Sequence, residues 1–119
     1  MGAPVAYFEI ISADATRAQA FYASLFGWTL ADGGSPDYRL VDTGAGADAI
    51  GGGIGPALPD SPAGTKVYVR VDDLQAYLDR AESLGATVMM PVTEISGVMT
   101  TALISDPDGN VFGLMQSDA

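Results

Sequence analysis

The chain has no cysteine and no histidine among its 119 residues. The first absence excludes disulfides, thiolate nucleophiles and zinc–thiolate sites. The second excludes Ser-His-Asp catalysis, imidazole acid–base chemistry and every histidine-ligated metal centre. Positive charge is scarce as well. Five Lys and Arg stand against fifteen Asp and Glu, a formal net charge of −10. Such a chain cannot neutralise a run of phosphates, so neither nucleic acid nor an anionic membrane is an expected partner. A neutral or cationic small molecule suits this field better. No apolar run approaches the roughly 18 residues of a membrane span. The opening Met1-Gly2-Ala3-Pro4-Val5-Ala6 has no basic region ahead of its apolar residues, unlike a secretory signal. The expected compartment is the cytoplasm.

What remains is 48% hydrophobic and 17% charged, the composition of one globular domain with a core. Its organising feature is a repeat. Val5–Ile11 reads as a strand, Asp14 as a helix cap, and Ala15, Ala18, Tyr22 and Leu25 as the apolar stripe of a helix ending at Gly27. Val67–Val71 reads as a second such strand, followed by Asp73, a helix bearing Leu74, Tyr77, Leu78, Ala81 and Leu84, and Gly85. The capping aspartates lie 59 residues apart (73 − 14). Three further strands follow each helix. They begin near Trp28, Tyr38 and Ala49 in one copy and near Ala86, Thr100 and Val111 in the other.

The unit is therefore βαβββ, present twice: module one over 4–55, a loop over 56–65, and module two over 66–117. The expected class is α+β, a curved mixed sheet with both helices on its convex face. Two glycine-bearing segments have structural explanations. Asp106-Pro107-Asp108-Gly109-Asn110 lacks the EF-hand spacing and reads as a tight turn. Gly51-Gly52-Gly53-Ile54-Gly55 lacks the Lys-Ser/Thr of a phosphate loop and reads as a bulged strand.

In this arrangement Tyr7-Phe8-Glu9-Ile10, Asp14, Ala20-Phe21-Tyr22, Leu25-Phe26-Gly27-Trp28, Val67–Leu74, Leu84-Gly85-Ala86 and Asp106–Asn110 cover nearly the whole chain. Together they resemble the vicinal oxygen chelate superfamily of glyoxalase, bleomycin-resistance protein and extradiol dioxygenase. The resemblance implies the glyoxalase/bleomycin-resistance fold and homodimerisation. It also implies a metal site, and there this sequence departs. The ligand positions carried over from metal-dependent members hold Tyr7, Lys66 and Gly113, with Gly51 as the module-one counterpart of Gly113. An ammonium repels a divalent cation and glycine offers no donor, so no metal and no other cofactor is expected. Members of the bleomycin-resistance type bind a cationic drug without reaction.

Alternation along the strands points Tyr7, Glu9 and Ile11 to one face of the first strand and Lys66, Tyr68 and Arg70 to the same face of its counterpart. The expected ligand site therefore consists of Tyr7, Glu9, Lys66, Tyr68 and Arg70, with room at Gly51 and Gly113. Glu9 is the candidate general base, or else the partner of Arg70 or Lys66 in an ion pair. Tyr7 and Tyr68 either stack on an aromatic ligand or fill the sheet interior. Trp28 reads as core or dimer contact. Three functions fit. The first is metal-free binding of a cationic or aromatic small molecule, sequestering an antibiotic or toxic metabolite. The second is a metal-independent isomerase or lyase using Glu9 and a tyrosine. The third is a non-catalytic interaction subunit.

Overall fold

The computed structural model describes residues 2–35, 37–59, 61–95 and 99–117. Met1, in the leader reading, and Asp60, in the loop 56–65, lie outside the described residues. Among the described residues, eight strands and two helices run in the order β1 (Val5–Ser12), α1 (Ala15–Phe26), β2 (Thr29–Ser35), β3 (Tyr38–Asp42), β4 (Gly51–Pro56), β5 (Gly64–Arg70), α2 (Leu74–Ser83), β6 (Thr87–Ile95), β7 (Met99–Ser105) and β8 (Val111–Ser117). The βαβββ repeat is present in both halves. The chain forms two compact units, Tyr7–Thr65 in one and Met1–Ala6 with Lys66–Ala119 in the other. Pro4 belongs to the latter, where its carbonyl accepts from the Arg70 N–H at 2.9 Å.

Within Tyr7–Thr65 the strand order is β2-β3-β4-β1. β1 and β4 run parallel, from Tyr7 opposite Gly51 to Ser12 opposite Pro56, and the other pairs are antiparallel. The parallel pair needs a crossover, and α1 opens it. Asp14 Oδ1 caps α1 by accepting the Arg17 N–H at 3.0 Å, and Gly27, at φ 71°, ends it by donating to the Ala23 carbonyl. α1 lies on the face carrying Phe8, whose ring is 5.3 Å from Trp28, and Trp28 in turn meets Tyr22 at 6.0 Å. Trp28 is half-buried among the rings of Phe8, Tyr22 and Phe26. Gln19 ties the helix to the sheet, its side-chain amide donating to the carbonyls of Ile54 at 2.9 Å and Asp37 at 3.0 Å. The apolar stripe differs from the expected one at its end: Leu25 is 59% exposed, as are Phe21 and Phe26 to a similar degree. The covered line runs instead through the buried Ala15 and the half-buried Ala18, Gln19, Tyr22 and Ala23.

The other unit repeats the pattern in the order β5-β8-β7-β6, with β5 and β8 parallel and Tyr68 opposite Gly113. Asp73 caps α2 through the Ala76 N–H, and Gln116 Oε1 accepts the Leu74 N–H. The helix closes as a Schellman motif: Ala86 N–H donates to Ala81 and Gly85 N–H to Glu82, with Gly85 at φ 102°. Leu74 and Leu78 pack on Val71, Ala102 and Leu114, with Val69, Val88 and Ile104 at the margin. Tyr77 and Leu84, expected on this stripe, are exposed. Asp106–Asn110 is the expected turn, its backbone and Asn110 amide donating to the Asp106 carboxylate.

The glycine run 51–55 is not bulged. β4 keeps an unbroken register with β1 over all six of its residues. Its glycines serve another purpose.

Candidate functional site

Each unit has a face opposite its helix. In Tyr7–Thr65 the period of two puts Tyr7, Glu9 and Ile11 there, with Gly51, Gly53 and Gly55 beside them on β4. Tyr38 of β3 joins them. Its ring lies over β4, so that a Cβ placed at Gly53 or Gly55 would fall inside the Tyr38 side chain. At Gly53 it would also meet the Tyr7 hydroxyl. The glycines thus seat two phenols against bare backbone. The phenols form a short chain: Tyr38 Oη donates to Glu9 Oε2 at 2.7 Å, and the Tyr7 and Tyr38 hydroxyl oxygens are 2.7 Å apart. Glu9 is 8% exposed. Burial raises the Tyr7 pKa to about 12, with the nearby Glu9 charge adding to the rise and the Tyr38 hydrogen bond opposing it. Burial, then the Glu9 charge, pushes Tyr38 up much further. Both phenols remain protonated at any physiological pH.

In the other unit Lys66 and Tyr68, 9% and 5% exposed, occupy the face away from α2, while Arg70, the next residue on that face, is exposed. Tyr68 lies flat over Gly113, where a Cβ would sit 2.5 Å from its Cγ. Leu103 and Thr101 of β7 share this face, since Ala102 between them belongs to the helix-side core. Thr101 Oγ1 is buried without a hydrogen-bond partner, an unmet need that a water or a polar ligand atom would satisfy.

Of the expected site residues, Tyr7 and Glu9 are brought together through Tyr38, and Tyr68 and Gly113 are in contact. Gly51 stands opposite Tyr7, where a Cβ would approach only the Val41 carbonyl. The register also corrects one correspondence. Gly113 faces Tyr68 as Gly53 faces Glu9, because Tyr68 and Glu9 are 59 residues apart, so the module-one counterpart of Gly113 is Gly53 and not Gly51. Sequence reasoning missed Tyr38. Its signal was the alternation Gly51, Gly53, Gly55, a face without side chains that a large ring must fill.

A family model described as a glyoxalase-like domain matches residues 7–115. The chain belongs to the glyoxalase-like family. That family lies in the vicinal oxygen chelate superfamily, and solved members share the fold. One is a glyoxalase/bleomycin resistance protein/dioxygenase superfamily member from Vibrio splendidus, 16% identical with a TM-score of 0.66, matched over 98% of this chain and 100% of that one. Another is methylmalonyl-CoA epimerase from Mycobacterium tuberculosis, 19% identical with a TM-score of 0.68 over 97% and 88% of the two chains. Among curated relatives, the provisionally named glyoxylase CFP32 of M. tuberculosis is 32% identical over 94% of this chain and 45% of its own length. Anthracycline biosynthesis protein DnrV of Streptomyces peucetius is 30% identical over 95% and 46%. The chain spans about half the length of these curated relatives.

The metal that this family's scaffold implies does not fit these residues. Among the described residues no three Asp or Glu side chains gather where they could hold an ion, and the chain offers no imidazole or thiolate. Gly113 contributes no donor, and a tyrosine ring covers it. No helix among the described residues is long and apolar enough to cross a membrane.

Proposed function

We propose that this glyoxalase-like domain binds an aromatic, cationic small molecule without a metal and holds it without turnover, acting in the cytoplasm as a homodimer. The observation that carries this reading is a set of tyrosines seated on glycine: Tyr68 over Gly113, and Tyr7 with Tyr38 over Gly53. Phenols offer flat apolar faces with one polar tip, the chemistry of aromatic recognition rather than of metal chelation. The net charge of −10 favours a cationic guest. The relatives named for anthracycline biosynthesis supply a ligand class with both properties. Calorimetry against anthracyclines bearing an amino sugar tests it, in parallel with EDTA-treated protein. Binding that survives chelation is expected. No heat across the panel, or binding lost with the metal, overturns it. Light scattering at micromolar concentration tests the dimer.

A second reading has its own observation. The chain from Tyr7 through Tyr38 to the Glu9 carboxylate could carry a proton in a metal-independent isomerase or lyase. Turnover retained in Glu9→Gln would remove it.

A further inference from the structure

Resting on the binding reading above, we infer that Tyr7 meets its ligand as a hydrogen-bond acceptor, so that the group recognised there is a donor: a protonated amine or a phenolic hydroxyl. A phenol has one hydroxyl proton. Tyr38 gives its proton to Glu9 Oε2 at 2.7 Å. The 2.7 Å contact between the two hydroxyl oxygens therefore takes the proton of Tyr7. Tyr7 faces any further partner with lone pairs alone.

The opposite orientation would turn Tyr38 toward Tyr7 and leave its oxygen against the carboxylate, two acceptors at hydrogen-bond distance. It would also exchange a charge-assisted bond, about twice as strong as a neutral one, for a neutral bond. Burial of Glu9 strengthens that preference, because the carboxylate is poorly served by bulk water. Geometry holds the direction in place. Gly53 leaves no side chain between the hydroxyls and the β4 backbone, and any Cβ there would displace both. The carboxylate thus projects its polarity through two phenols to the Tyr7 oxygen, and Tyr38 is a positioning residue that acts through Tyr7.

The test uses the full chain and Tyr38→Phe, with far-UV circular dichroism as a fold control. The probes are an anthracycline with its sugar ammonium and the same compound with that amine replaced by methoxy, which accepts only. The wild type is expected to favour the amine by about tenfold or more, the scale of one hydrogen bond to a charged group. In Tyr38→Phe the Tyr7 proton is released outward, and the preference should fall to roughly threefold or less. An unchanged preference in Tyr38→Phe, or a wild type that favours the methoxy compound, overturns the inference. Should neither probe bind, the binding reading falls, and the direction is read separately from tyrosine hydroxyl protons by NMR. Glu9→Leu should then move both hydroxyl resonances upfield. Resonances that stay in place overturn the inference.

Discussion

Gly113→Ala isolates the idea that a tyrosine occupies a ligand position. Gly113 is not among the glycines with positive φ, so its backbone accepts alanine without strain. By the usual unfolded-state effect the substitution would stabilise by about 0.4–1 kcal/mol. The added Cβ, however, would sit 2.5 Å from Tyr68 Cγ and closer still to two other ring atoms. Cγ is the root of the ring, so the clash is not relieved by moving a distal atom, and Tyr68 is only 5% exposed. Overpacking of this kind costs about 1–3 kcal/mol. The net expectation is a loss of about 1–2 kcal/mol, or a fall in Tm of about 4–8 °C at this chain length. Scanning calorimetry and urea titration measure it. Tyr68→Leu should remove the obstacle, so that Gly113→Ala becomes neutral or stabilising in that background, a coupling of about 1 kcal/mol or more. A Gly113→Ala protein that melts higher than wild type, or the same loss with and without the Tyr68 ring, would refute the packing argument.

Gly53→Ala should be more damaging, because it strikes the hydroxyl ends of Tyr7 and Tyr38 together; weakened ligand binding alongside a lower Tm is expected in parallel calorimetry. Asp14→Ala and Asp73→Ala should each cost about 1 kcal/mol in urea unfolding, and by similar amounts, since the two caps make the same bond. Stability should also fall in alkali. Tyr7 is an acid whose pKa rises from 10.0 to about 12 on folding, so its contribution is complete below pH 10 and is lost as the pH climbs to about 12. Glu9→Gln, by removing a charge that raises both phenols, should make that decline shallower; an equally steep decline would show that Glu9 does not bear on them.

The duplication was legible because its markers are local. A capping aspartate, a helix and a closing glycine declare themselves from neighbouring residues, and the two caps fall 59 residues apart in the structure as in the sequence. That the chain carries no histidine and no cysteine was legible outright, because residue types alone decide it. The helix faces were less so. An apolar period put Leu25 and Leu84 in the core, yet both are exposed, and the polar Gln19 lies on the sheet side of α1. Hydrophobic periodicity has no term for a glutamine that satisfies two backbone carbonyls, so the line it drew was rotated away from the true contact. Correspondence between strands failed in a similar way at Gly51, because register is a property of paired strands and a count along one strand does not supply it.

Tyr38 is the sharpest instance, since its partners Tyr7 and Glu9 lie 31 and 29 residues away. Yet a physical rule reaches it. Three glycines at alternate positions of a strand leave one face without side chains, and a protein interior does not tolerate the resulting gap. Something large must cover Gly53 and Gly55, and it must come from a strand beside β4. β3 is that strand in a meander, and Tyr38 is its only aromatic residue. Reading the glycines as a bulge treated them as a backbone irregularity. Reading them as a socket for a phenol leads to Tyr38, and from Tyr38 to the carboxylate it bonds. The same logic in the other unit pairs Gly113 with Tyr68. In both halves, the residue that makes room and the residue that fills it must change together for a metal ligand to be accommodated there.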